Sequence, residues 1–118
     1  MDDKVLLRID SLLKHIDLVL NDTNGVDVSK LEEGNILFRA TCFSISQIGE
    51  QMVQLEKKIG DKYPHVPWIY ARNMRNFIVH DYDSVDPEQV ASTINIDLPT
   101  LKESFLQIKK DYEEEAAS

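Results

Sequence analysis

The sequence has one cysteine, four scattered glycines and no long apolar run, and each shortage excludes a class of protein. A single cysteine, Cys42, allows neither an internal disulfide nor a cysteine-rich zinc site. It falls in an apolar helical pattern, so we expect it to be buried and unreactive. Without a stretch of about 18 apolar residues, no transmembrane helix is expected. The glycines are too dispersed to form a phosphate-binding loop.

Basic residues are also scarce, with 13 Lys and Arg against 21 Asp and Glu and a formal net charge of −8. This balance argues against broad binding to nucleic acid and against a DNA-reading protein, because long-range attraction needs a basic surface. A local basic site remains compatible with it, and Arg72 with Arg75 is the arginine pair that fits. An acidic surface would also suit a basic partner protein.

Metal ligands and targeting signals are missing too. The three histidines, at positions 15, 65 and 80, show no metal-ligand spacing, so we expect no metal and no cofactor. Met1-Asp2-Asp3-Lys4 lacks the charged-then-apolar layout of a signal peptide, and the cytoplasm is the expected compartment.

What the sequence does contain is helical periodicity, which predicts an all-α fold with 1–118 as a single domain. In the first segment one apolar stripe recurs at spacings of three and four: Val5, Ile9, Leu12, Ile16 and Val19. Beside it runs a second stripe of Leu6, Leu13 and Leu20. Such a width indicates either a helix deep in the core or a flank that packs on a second chain.

A turn cluster at 21–25 separates this helix from the next. Ser29, with Glu32 three residues on, has the pattern of a capping box and predicts a helix of roughly 30 residues from there. We expect Gly49 to allow another helix to approach closely, and we interpret Glu50 as a charge on the solvated face rather than a functional carboxylate. Gly60 ends the helix.

A third helix is predicted to start near Pro67. At about 100° per residue, its core face should carry Tyr70, Ala71, Met74, Phe77 and Ile78. Arg72, Asn76 and His80 line the opposite face, and Arg75 stands between the two. Trp68, Ile69 and Val79 also fall on the polar half. An apolar rim around charged residues is typical of a covered cleft or a subunit interface, so a two-fold dimer is expected.

Asp86 and Pro87 begin a further helix as N-cap and first residue, and Asp97-Leu98-Pro99 interrupts or re-caps it before a last amphipathic helix. The prediction is therefore an antiparallel helical bundle of about five helices.

The segment Arg75-Asn76-Phe77-Ile78-Val79-His80-Asp81-Tyr82 concentrates the chemistry of the chain. A guanidinium is a permanent planar cation suited to a phosphate. An imidazole takes and gives protons near neutral pH. Together they suffice to cleave an RNA phosphodiester through the substrate's own 2′-hydroxyl, with Asn76 steadying the imidazole or a phosphate oxygen. By spacing alone, a surface helix whose Arg and His pair with Asp81 and Asp83 is the simpler interpretation.

The same segment resembles the signature of the HepT-like toxins of the HEPN superfamily, the DUF86 group. The resemblance comprises Arg-x4-His-x-Tyr followed by Asp83-Ser84-Val85-Asp86, and it is extended by Ile48-Gly49-Glu50, Val66-Pro67-Trp68 and Asp97-Leu98-Pro99. It implies the toxin of a prokaryotic toxin–antitoxin pair: a metal-independent endoribonuclease acting on RNA with Arg75 and His80 as catalytic residues. Arg72 and Asn76 are the expected supporting residues.

The resemblance also implies a regulator. Tyr82 would be the tyrosine to which a cognate nucleotidyltransferase antitoxin of the MNT type transfers AMP, silencing the toxin. The alternative, from a different class, is a non-catalytic substrate-binding or interaction subunit of a two-component nucleotidyltransferase.

Overall fold

The computed structural model describes residues 3–32, 34–79 and 85–117. These residues form five α-helices: α1 (Asp3–Asp22), α2 (Ile36–Ile59), α3 (Tyr70–Val79), α4 (Pro87–Ser92) and α5 (Leu98–Ala117). A 3₁₀ turn, Val28–Lys30, lies between α1 and α2, and a π-helical turn, Thr93–Asp97, joins α4 to α5. The described residues contain no strand, and the predicted all-α fold is confirmed.

The helices α1 and α5 run antiparallel. Lys102 and Lys109 of α5 reach Asp17 and Asp10 of α1 across 2.8 and 2.9 Å, so residue numbers rise along one helix as they fall along the other. The helices α2 and α3 pack against each other, and α1 lies beside α2, where Arg8 Nη1 donates to Gln51 Oε1 at 3.1 Å.

The predicted stripes form the core. The five residues of the main α1 stripe are at most 2% exposed. In the second stripe Leu13 is buried, whereas Leu6 and Leu20 are half-buried, so this flank is covered mainly within the chain. A stripe on α2, which recurs at alternating spacings of three and four, is also buried throughout: Phe38, Cys42, Ile45, Ile48, Met52, Leu55 and Ile59. Burial also raises the pKa of the Cys42 thiol to about 11, as expected for an unreactive cysteine.

The predicted start of the second helix is wrong. Asp27, not Ser29, caps the short 3₁₀ turn by accepting from the Ser29 N–H at 3.1 Å. The chain is then extended at Leu31, and Asn35 caps α2 through the Phe38 N–H at 3.2 Å. Asp and Asn compete well for such backbone donors, which divides the predicted helix into a turn and a helix of 24 residues. The predicted end at Gly60 is confirmed.

The start of α4 follows the predicted signals. Asp86 caps α4 by accepting from the Glu88 N–H at 2.9 Å, with Pro87 in the first turn. The interruption predicted at Asp97-Leu98-Pro99 is wrong, because the helical backbone continues through it. The Leu98 N–H reaches back to the Thr93 carbonyl, which is a π-type bond. Proline has no N–H to donate, so a widened turn before Pro99 lets the chain continue into α5 without a break.

No helix in the described part of the chain is long and apolar enough to cross a membrane.

Candidate functional site at the crossing of α2 and α3

Gly49 sets how closely α2 and α3 approach each other. A Cβ atom built on Gly49 would lie 2.6 Å from the carbonyl oxygen of Ala71 and closer still to the backbone nitrogen of Arg75. The close helix approach predicted for Gly49 is therefore confirmed. Its consequence is that the backbone of Arg75 is fixed against α2.

The Arg75 side chain extends from this crossing toward an acidic neighbour. Its Nη1 lies 4.0 Å from Oε2 of Glu50, and the two side chains are 38% and 42% exposed. The other carboxylate oxygen, Oε1, accepts from the Gln54 side chain at 3.3 Å. At 4.0 Å the pair is electrostatic and makes no hydrogen bond, so the guanidinium donors stay available to a ligand.

Two other predicted residues lie on the same side of α3. Arg72 and Asn76 are exposed, and Arg75 is half-buried, as the helical spacing predicts. Arg72 lines a cavity of about 270 Å³ together with Glu56, Trp68 and Ile69. Three polar side chains thus lie along one exposed side of α3, which we call the arginine face: Arg72, Arg75 and Asn76. Two of them carry a permanent positive charge in an acidic protein.

The predicted apolar rim around this face is wrong for Trp68. Trp68 is only 8% exposed, its indole N–H donates to the Tyr63 carbonyl at 2.9 Å, and its ring packs edge-on against Phe105. The reason is that α3 begins at Tyr70 and not near Pro67, so the preceding turn directs Trp68 into the core. Ile69 is 80% exposed and remains a rim residue, while the Val79 side chain lies outside the described residues.

The core face of α3 is confirmed in part. Ala71, Met74 and Phe77 are buried, whereas Tyr70 is 41% exposed because it stands at the first position of the helix. Ile78 was also predicted to face the core, but its side chain lies outside the described residues.

His80 and Tyr82, the predicted proton-transfer residue and modified tyrosine, lie outside the described residues, as do Asp81 and Asp83. The described part of α3 ends at Val79, so His80 follows directly in the sequence. Among the described residues, the acidic partner of Arg75 is Glu50 on the neighbouring helix α2.

Sequence reasoning missed two features of this face. Glu50 was interpreted as a solvated charge, although its place directly after Gly49 put it at the helix crossing. Phe43 is 53% exposed, and it lies seven residues before Glu50, close to two turns along the same side of α2. The sequence signal for Phe43 was its position outside the buried apolar stripe of α2, where an apolar side chain is exposed.

A larger cavity of about 650 Å³ lies elsewhere, between the end of α1 and the π-helical turn. None of its lining residues belongs to α2 or α3, so this cavity is separate from the arginine face despite its larger volume. Among the described residues, no group of His, Cys, Asp and Glu is arranged to hold a metal ion.

Comparison with known proteins places most of the chain in a family. The family model described as "Ribonuclease HepT-like" matches residues 12–108. Two proteins of Methanocaldococcus jannaschii are similar: "Putative RNase MJ0125" is 31% identical over 87% of this chain and 89% of its own length, and "Putative RNase MJ1216" is 29% identical over 86% and 84%.

A third relative, "Probable ribonuclease HepT" of Thermococcus cleftensis, is 30% identical over 53% of this chain and 57% of its own length. No solved structure gives a significant match. The matched residues include all of α2, α3 and α4, and therefore the crossing at which Gly49 fixes Arg75. The chain belongs to the HepT-like ribonuclease family.

Proposed function

We propose that this protein is a metal-independent endoribonuclease that uses Arg75 and His80. The observation that carries the proposal is the fixed position of Arg75, whose backbone lies against Gly49 while its guanidinium reaches the surface. Five residues further along the sequence stands His80, the only histidine in the same segment.

The chemistry needs no metal, because the 2′-hydroxyl of the substrate is the attacking group. Arg75 stabilises the negative charge that grows on the phosphate as it becomes five-coordinate. His80 moves a proton, either from the 2′-hydroxyl or to the leaving oxygen. Arg72 and Asn76, exposed on the same face, bind the neighbouring RNA backbone.

The nuclease test is incubation of purified protein with RNA in the presence of a chelator. We expect cleavage by the wild type and losses of roughly 100-fold or more in His80→Ala and Arg75→Ala, in the range of removing a proton-transfer or charge-stabilising group. His65→Ala and Lys110→Ala are matched controls, because they remove an exposed histidine and an exposed positive charge elsewhere. Cleavage that survives His80→Ala contradicts the assignment. No cleavage by the wild type favours the non-catalytic interaction subunit.

We further propose that the protein is the toxin of a cytoplasmic toxin–antitoxin pair, silenced by AMP transfer to Tyr82 from a cognate nucleotidyltransferase. An anionic nucleotide two residues beyond His80 would block the cleft and repel RNA phosphate. The net charge of −8 suits docking to a basic active-site mouth.

Intact-mass spectrometry after co-expression with the nucleotidyltransferase should show added AMP, and peptide mapping should place it on Tyr82. Tyr82→Phe should abolish the adduct and leave the toxin active. Tyr70→Phe is the control that the structure demands, because Tyr70 is 41% exposed on α3 and is the nearest competing phenol in the sequence. Adducts only on Tyr70, or none with an active partner, contradict this half of the proposal and leave the nuclease half standing.

A further inference from the structure

The contact between Glu50 and Arg75 is the one interaction that the described structure places directly on a proposed catalytic residue. Glu50 uses its two carboxylate oxygens separately: Oε1 accepts from Gln54 at 3.3 Å, and Oε2 faces Arg75 Nη1 at 4.0 Å. Gln54 lies one helical turn further along α2, so the carboxylate is held by its own helix.

The contact contributes little to folding. Both side chains are about two-fifths exposed, and ion pairs of that exposure are weak because solvent screens them. The Arg75 backbone is already fixed by the close approach of Gly49, independently of the Glu50 side chain. A stabilising role therefore does not account for the arrangement.

The contact does restrict where the guanidinium lies. A free arginine side chain samples many rotamers, and a carboxylate held in place on one side reduces that range. Because the 4.0 Å separation leaves the N–H donors unbonded to Glu50, they remain available to a phosphate. The negative charge of Glu50 also repels a bound phosphate, so Glu50 does not increase the affinity of the protein for RNA.

We infer that Glu50 is a positioning residue, which orients the Arg75 guanidinium for phosphodiester cleavage at the expense of affinity for RNA, and that Gln54 holds Glu50 in place. This inference rests on the proposed nuclease function. It gives a function to the Glu50 carboxylate, which the helical pattern alone placed on the solvated face.

The kinetic test is Glu50→Gln, which keeps the side-chain volume and an acceptor oxygen for Gln54 but removes the charge. We expect kcat to fall by roughly 2- to 5-fold, which is the range that a solvent-screened contact of this kind can contribute, with KM unchanged or lower. Gln54→Ala should move both parameters in the same direction by less. Glu103→Gln on α5 is the control, since it removes one exposed glutamate far along the chain from α2 and α3.

A second readout does not depend on RNA. The side-chain Nε–Hε signal of Arg75, assigned by its loss in Arg75→Lys, reports rotation of the guanidinium in NMR spectra. We expect this rotation to be faster in Glu50→Gln than in the wild type and in Glu103→Gln, with an unchanged thermal unfolding midpoint. If Glu50→Gln acted only by destabilising the fold, its thermal unfolding midpoint would fall and its KM would not be lowered.

The two readouts separate the possible failures. Unchanged Arg75 rotation in Glu50→Gln overturns the inference whether or not RNA is cut. Faster rotation with an unchanged kcat, or a raised KM alone, also overturns it, because the contact then has no consequence for the chemical step. If Arg75 rotates faster in Glu50→Gln but the wild type cuts no RNA, the nuclease proposal is refuted. Glu50 then remains the residue that restrains Arg75.

Discussion

His15 on α1 has a ring nitrogen, Nδ1, that is buried without a hydrogen-bond partner in the described structure. Partial burial, and then the positive charge of Lys14, lower the pKa of this imidazole below its ordinary value of 6.5. Desolvation favours the neutral form of a histidine, so protonating His15 opposes folding.

The expected outcome is a pH-dependent stability. Between the lowered pKa of the folded state and the ordinary value of 6.5, the unfolded chain binds more protons. The contribution of His15 to the free energy of unfolding is therefore fully present above pH 6.5 and falls as the pH drops below it. Urea unfolding across this range should show a weaker dependence in His15→Gln. His65→Gln, which removes an exposed imidazole, should keep the wild-type slope, and identical slopes in all three proteins would contradict the prediction.

At the level of helices, the crossing of α2 and α3 depends on a missing side chain. In Gly49→Ala the added methyl meets backbone atoms of Ala71 and Arg75, which cannot rotate away, so the two helices must separate. Alanine favours a helix over glycine by about 1 kcal/mol. Overpacking costs about 1–3 kcal/mol, so we expect a net loss of stability from zero to about 2 kcal/mol.

Gly34→Ala is the matched control, because a Cβ there has no atom within 4 Å and no left-handed backbone angle to strain. It should be neutral or slightly stabilising. Denaturant unfolding gives both values, and RNA cleavage should fall only in Gly49→Ala, where Arg75 is displaced. Equal effects of the two substitutions would mean that α2 and α3 tolerate a wider separation.

For the molecule as a whole, the two-fold dimer expected from the sequence now depends on fewer residues than the sequence indicated. Trp68 is part of the core, which leaves Ile69, on the approach to α3, as the exposed member of the predicted rim in the described structure. Phe43 adds an exposed ring on the side of α2 that carries Glu50. In a two-fold interface each exposed residue is used twice, and one substitution therefore changes two contacts.

Sedimentation at micromolar concentration should give twice the chain mass of 13.6 kDa. Ile69→Lys should shift the protein toward monomer, because it places a charge in the interface core. Ile96→Lys is the control, since Ile96 is 64% exposed and belongs to the π-helical turn rather than to α2 or α3. A wild type that sediments only as monomer would contradict the dimer that the sequence predicts.

The sequence by itself determined the fold class, the buried stripes and the polar face of α3. These follow from helical periodicity, which is a local property: the spacing of Arg72 and Asn76 puts them on one side of any helix that contains both. Capping signals were equally local, and Asp86 and Gly60 were predicted correctly. The start of α2 was not, because Asp27 and Asn35 competed with Ser29 for the same kind of backbone donor.

Only the tertiary structure decided which residues face each other across helices. The burial of Trp68 depends on Phe105 and on the Tyr63 carbonyl, neither of which can be paired with it from periodicity. In the same way, Glu50 is a solvated charge on an isolated α2. It becomes the neighbour of Arg75 because Gly49 lets another helix pack within backbone contact, and that distance is set by the packing of the whole bundle.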